Sequence, residues 1–180
     1  MDEELELALR LEVRKKIYLK IKANPGLHFR ELQRRVGIAT GALQYHLEYL
    51  AKRHLIRAEK DGNDNGRKFI RYYLVRQNFE ETELMSLLRQ ESIRRIIVFL
   101  MQKRFAGTAT ICDGVGLGPS TVSWHLEKLS LAGICQKSRR GRKAFYRIID
   151  KGRIAKLLVG YRRSFLDEVV DNFVEVWEEL

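Results

Sequence analysis

The sequence is poor in the residues that staple, ligate or catalyse. Its two cysteines, Cys112 and Cys135, form no Cys-x-x-Cys spacing and lie among apolar neighbours, so they read as small buried side chains rather than a disulfide or metal framework. His28, His46, His54 and His125 fall at no metal-ligand spacing. No apolar run approaches the roughly 18 residues of a membrane span, and the acidic N-terminus is no signal peptide. The expected location is the cytoplasm. Gly114-Val115-Gly116-Leu117-Gly118 has the look of a nucleotide loop but lies between helical patterns with no Gly-Lys-Ser or Gly-Lys-Thr. Neither an enzyme nor a cofactor is expected.

Basic residues are missing from both ends. Residues 1–8 hold Asp2, Glu3, Glu4 and Glu6, and residues 166–180 hold Asp167, Glu168, Asp171, Glu175, Glu178 and Glu179, with no Lys or Arg in either. All 34 basic residues therefore lie between, in a chain whose net charge is +11. A centre this basic attracts polyphosphate.

What the sequence does contain is a repeat. Val36-Gly37 followed by His46-Leu47-Glu48 and Leu50 returns 79 positions later as Val115-Gly116, His125-Leu126-Glu127 and Leu129. A fixed offset of this length marks one supersecondary unit used twice. Leu43, Leu47 and Leu50, and likewise Val122, Leu126 and Leu129, show the i, i+4, i+7 spacing of a helix burying one face. Pro119 stands where a first helical residue belongs. Helix, Gly-containing turn, helix is the helix-turn-helix arrangement, whose second helix lies in the DNA major groove.

Around this motif the periodicity predicts one helix over residues 2–23, then the turn Asn24-Pro25-Gly26. A second helix over His28–Val36 follows, with Glu31 reaching back to the N-terminal backbone, and a third runs from about Thr40 to Arg53. Residues 55–60 and 67–75 flank Asn65-Gly66, a hairpin signal. In the second copy Ser92 is the expected cap of a helix to Gln102, Thr108–Val115 and Pro119–Leu131 follow, and Arg139-Arg140-Gly141-Arg142 is the turn of a shorter hairpin. The fold class is mainly α with small β-hairpin wings: two tandem winged helix-turn-helix domains, 1–78 and 92–150, a helical connector 79–91, and a long C-terminal helix over 151–180. Phe165, Val169, Phe173 and Val176 give that last helix a broad apolar face, which either packs on a domain of the same chain or pairs with a second copy as a homodimer.

The DNA-facing candidates follow from position. In the first copy they are Thr40, Gly41, Gln44, Tyr45 and His46, with Arg30, Arg34 and Arg35 on the preceding helix; Gln44 has the donor and acceptor that read an adenine edge. In the second they are Ser120, Thr121, Ser123, Trp124 and Lys128. Tyr45 and Trp124 either touch bases or pack on the hairpins. Arg57, Arg67, Lys68, Arg71, Arg139, Arg140, Arg142 and Lys143 are the hairpin residues for phosphate or the minor groove.

Asn24-Pro25-Gly26-Leu27-His28-Phe29-Arg30-Glu31-Leu32 followed by Gly41-Ala42-Leu43-Gln44-Tyr45-His46-Leu47 resembles archaeal winged helix-turn-helix transcriptional regulators of the broad ArsR/MarR-like superfamily, closely over 10–75 and more loosely over 92–150. The resemblance implies a chromosome-associated, sequence-specific regulator of double-stranded DNA, commonly a dimer. With both domains on one duplex face, their third helices would lie about 34 Å apart. A competing reading is a protein-interaction module that docks basal transcription factors through its winged-helix surfaces and the acidic, aromatic C-terminal helix, and a third is structured RNA binding.

Overall fold

In the computed structural model, which describes residues 3–60, 70–165 and 168–178, the chain is mainly helical with two small antiparallel sheets and divides into two units, Met1–Ser86 and Leu87–Leu180. The first unit opens with α1 (Glu3–Ala8) and α2 (Glu12–Ala23) rather than one helix. Leucines at 5, 7, 9 and 11 recur every second residue, so no single helical face can collect them. The chain breaks after Arg10 N–H bonds to Leu7 O, and α2 restarts from an extended Leu11 with Ile17 and Ile21 inward.

After the turn, β1 (Leu27–His28), α3 (Phe29–Val36), α4 (Thr40–Lys52), β2 (Ile56–Lys60) and β3 (Ile70–Leu74) complete the core, and α5 (Phe79–Leu88) begins beyond them. Gly26 takes φ of 81°, open to a residue without Cβ. The cap of α3 differs from expectation: His28 Nδ1 accepts the Glu31 N–H at 3.3 Å, while the Glu31 carboxylate pairs with Arg35 one turn on. The strands pair in the order β1-β3-β2, with Leu27 opposite Tyr72 and Ile56 opposite Leu74. Ile17, Ile21, Leu27, Leu32, Val36, Leu43, Leu47, Leu50 and Ile56 fill the space between helices and sheet. Truncating one of these leucines or isoleucines to alanine costs about 2–5 kcal/mol by loss of transfer energy and a residual cavity.

The second unit repeats this order. α6 (Glu91–Gln102), β4 (Ala106–Gly107), α7 (Thr108–Val115) and α8 (Pro119–Leu131) each begin and end 79 residues after α2, β1, α3 and α4. β5 (Cys135–Arg140) and β6 (Lys143–Ile148) form the hairpin, in the order β4-β6-β5. Arg140 faces Lys143, leaving a two-residue loop whose first member, Gly141, has the positive φ of 59° that such tight hairpins need. Ser92 is no cap; α6 starts at Glu91 and the Ser92 hydroxyl meets His125 Nε2 at 2.8 Å.

The C-terminal stretch is not one long helix. It forms α9 (Lys151–Gly160), α10 (Arg162–Phe165) and α11 (Glu168–Glu178). Helix α9 stops at Gly160-Tyr161, and Arg162 draws α11 back through Nε to Asp171 at 2.6 Å and Nη2 to Glu175 at 2.8 Å. Helix α11 packs on α6 and α9, burying Val170, Phe173 and Val174. Phe165 and Phe173 of the apolar face are thus covered inside their own unit, while Val176 stays exposed by 58%.

Candidate nucleic-acid interface

The orientation of α4 is set by side chains that span the turn before it. Gln33 Nε2 donates to Ile38 O at 3.3 Å and to Thr40 Oγ1 at 2.9 Å, so α3 holds the start of α4. Lys16 Nζ donates to Val36 O at 2.7 Å, placing a cation on the C-terminal carbonyls of α3. Gly37 carries the left-handed φ of 76° that lets the chain leave one helix and enter the next.

With Leu43, Leu47 and Leu50 turned inward, the opposite side of α4 is open. Thr40, Gly41, Gln44, Tyr45 and Glu48 are exposed, Tyr45 by 58%. Gln44 Nε2 donates to Glu48 at 3.1 Å. Arg30, Thr40, Gln44 and Glu48 line one groove together with Ala58, Ile70 and Tyr72 of the sheet. His46 departs from expectation. It is half-buried, its Nδ1 is shut off from solvent, and desolvation, then the nearby Arg14 guanidinium, lowers its pKa. Its ring packs edge-on against Tyr45, with centroids 5.2 Å apart, so it supports that side chain.

The arginines separate into two kinds. Arg30 and Arg34 are exposed on α3. Arg35 is held by Glu31 at 2.9 Å and by Asn24 Oδ1. Arg57, one of the expected hairpin contacts, bonds Glu59 at 2.6 Å, the carbonyls of Val75 and Gln77 at 3.1 Å each, and Thr82 Oγ1 of α5. Arg71 is 6% exposed and donates to Gly26 O at 2.8 Å. The carbonyls of the turn and the strand ends need donors, and arginine supplies them. Arg35, Arg57 and Arg71, expected as surface contacts, are thus engaged in bonds within their own unit. Arg67 and Lys68 lie outside the described residues.

In the second unit Ser120, Thr121, Ser123 and Trp124 are exposed on α8. Trp124 sits edge-on to His125 at 4.9 Å, the counterpart of the Tyr45–His46 pair. Lys128 is turned in, its Nζ screened from solvent 5.3 Å from the Trp124 ring, so it is not offered to phosphate. Arg139, Arg140, Arg142 and Lys143 are exposed on the hairpin. Helix α7 contributes no basic side chain, unlike α3. Glu48, Arg104 and Arg147 were missed in the sequence; for Glu48 the i+4 spacing from Gln44 was the available signal.

Over 148 residues, 82% of this chain, the sequence is 31% identical to an uncharacterized HTH-type transcriptional regulator of Methanocaldococcus jannaschii. The chain spans about a third of that relative, 36% of its length. The crystal structure of the antimony-specific transcriptional repressor AntR aligns over 45% of this chain and 73% of its own, with 26% identity and a TM-score of 0.42. Residues 11–87, which contain the α3–turn–α4 unit and the first hairpin, match the family of N-terminal HTH domains.

Proposed function

We propose that the chain is a sequence-specific, double-stranded DNA-binding transcriptional regulator made of two tandem winged helix-turn-helix domains, 1–78 and 92–150. Helices α4 and α8 enter the major groove. Arg30 and Arg34, and Arg139, Arg140, Arg142 and Lys143 of the second wing, hold the phosphate backbone. The observation that carries this reading is the open row Thr40, Gly41, Gln44 and Tyr45 on α4, beside two exposed arginines of α3, in the segment that matches an HTH family.

The chemistry of the row fits base reading. The Gln44 amide can accept from adenine N6 and donate to N7 on its major-groove edge, and the Glu48 carboxylate beside it can accept from cytosine N4. Gly41 has open space around its Cα, which lets the helix backbone approach a groove wall. In the second unit, hydroxyls and an indole take the equivalent places, a set that reads sequence less sharply than amides.

Selection from a random duplex pool tests the proposal. One motif should be enriched and lost with Gln44→Ala. The pair Arg30→Ala/Arg34→Ala should weaken all sequences alike and lower the salt slope by about 2, one unit per phosphate contact. A pool with no enriched motif would refute specific recognition and leave only charge.

A further inference from the structure

The two hairpin sheets differ on the face turned away from their helices. In the first unit this outer face carries Arg57, Arg71 and Tyr73, and it is closed: Tyr73 is 1% exposed, and Arg57 reaches Thr82 of α5. Arg57 is held there by the carbonyls of Val75 and Gln77 as well as by Thr82. Register gives the counterparts in the second unit. Leu27 and Ala106 pair with Tyr72 and Tyr146, and Ile56 and Cys135 pair with Leu74 and Ile148. Gly26, Arg57, Arg71 and Tyr73 therefore correspond to Phe105, Gln136, Phe145 and Arg147.

There the face is open. Phe105 is 47% exposed, and Gln136, Arg140 and Arg147 are exposed with it. After β6 the chain leaves this face, since Lys151 at the start of α9 bonds Met101 O at 2.6 Å and Lys103 O at 3.1 Å at the end of α6. Phe105 stands edge-on to Phe145 at 5.8 Å, and the two line a groove of about 430 Å³ rimmed by Arg104, Arg140 and Arg147. Arg147 Nε donates to Gln136 at 2.8 Å, so the arm is held out rather than collapsed. Residues 134–149 contain no Asp or Glu.

We infer that this outer face of the second sheet, Phe105 and Phe145 ringed by Arg104, Arg140 and Arg147, docks an acidic amphipathic helix of a partner protein. The charge calls for carboxylates, and the aromatic floor calls for one apolar anchor at i, with acids at i+3 or i+4, as in other helix-in-groove contacts. In the first copy the equivalent face is met by a helix, α5, through the Arg57–Thr82 bond. A single-stranded nucleic acid fits less well, because bases stack on open ring faces, whereas the Arg140 guanidinium stands 5.5 Å from the Phe105 ring centre. The inference is independent of DNA reading by α4, and of its residues only Arg140 is shared with the proposed phosphate contacts of the second wing.

The test displays a library of helices of about 15 residues, the length at which isolated helices begin to hold, against the full chain, with counter-selection on Phe105→Ala and on Arg147→Glu. Neither residue belongs to the proposed DNA interface. The expected winners carry an aromatic or leucine anchor with flanking acids, and a synthesised winner binds each variant at least about tenfold more weakly, the loss typical of a docking anchor. Arg147→Lys restores part of the binding, and unchanged melting curves show that the variants are folded. Winners without acids, or winners that bind both variants like the native chain, overturn the inference. So does Phe105-dependent binding of oligo(dT), or self-association of the chain that Phe105→Ala abolishes. A failed DNA selection with successful helix capture would sink the DNA reading alone.

Discussion

Arg71 and Arg30 are both arginines that the sequence offers to DNA, and the structure places them in opposite settings, one enclosed and one exposed. Arg71→Met keeps the aliphatic reach of a side chain that is 6% exposed and removes the donor 2.8 Å from Gly26 O. A hydrogen bond from a charged donor contributes about 1.5–3 kcal/mol, and the carbonyl left without it adds a desolvation penalty of about 1 kcal/mol or more. Replacing both partners of a buried polar pair can be neutral, but here one partner is backbone and stays. A loss of about 3 kcal/mol, set against a urea slope of about 1.5 kcal/mol/M, lowers the unfolding midpoint by about 2 M. Arg30→Ala, at an exposed site, changes stability by less than about 0.5 kcal/mol yet weakens binding to every duplex and lowers the salt slope by about 1. Urea unfolding followed by circular dichroism, with anisotropy titrations of labelled duplex at several salt concentrations, reads both. An Arg71→Met chain that unfolds at the native midpoint but loses DNA affinity would refute the reasoning, because its guanidinium would then face the duplex.

Further outcomes follow from single sites. Burial is the largest cause lowering the His28 pKa below 6.5; Glu31 opposes it, and Arg71, Arg34 and Arg30 add to it. Because the unfolded chain then takes the proton first, the stability held above pH 6.5 is lost as pH falls through the folded value, where the Nδ1 that accepts from Glu31 becomes a donor. Asn also caps a helix start, so His28→Asn should flatten the acid side of the stability curve by up to the roughly 1 kcal/mol a cap contributes, leaving the residual slope of His46; an unchanged curve would remove the cap from the account. Gly41→Ala, with nothing near its Cα, should raise stability by about 0.5–1 kcal/mol while weakening DNA binding. Gly114→Ala should do the reverse for stability, because its Cβ would lie 2.1 Å from the Phe99 ring, and overpacking of about 1–3 kcal/mol outweighs the gain in helix propensity. Thermal melts of the two variants shifting in the same direction would contradict that contrast. Burial pushes the Cys135 thiol up to about 12, so under native conditions a thiol reagent at pH 8 should label the half-buried Cys112 first and Cys135 only on unfolding. Mass spectrometry of the labelled peptides decides it.

The helices that carry the candidate interface were legible because two independent signals coincided. Heptad-like leucines gave α4 and α8 their buried side, and the offset of 79 let Pro119 and Gly116 sharpen boundaries that Thr40 and Gly37 left soft. The hairpin at Gly141 was readable from turn chemistry. What escaped depends on distant partners. Nothing near Arg162 announces that it will clasp Asp171 and Glu175. Strand alternation tells which residues share a face but not what lies over it, so Arg71 and Arg140 look alike in sequence, although one is enclosed and the other open. His28 was missed as a cap because histidine is not among the usual capping residues, and only the geometry of Nδ1 reveals it.

The bonds across the turn between α3 and α4 have a consequence for time as well as shape. Gln33, Thr40 and Lys16 tie the first helix pair together on their own, so on the proposed DNA reading little ordering is left for the moment of contact. In the second pair Cys112 and Pro119 stand at the positions of Gln33 and Thr40, and neither has an amide or hydroxyl to exchange across the turn. The second turn therefore lacks the side-chain ties of the first, and on the proposed DNA reading the first reader is the more rigid of the two.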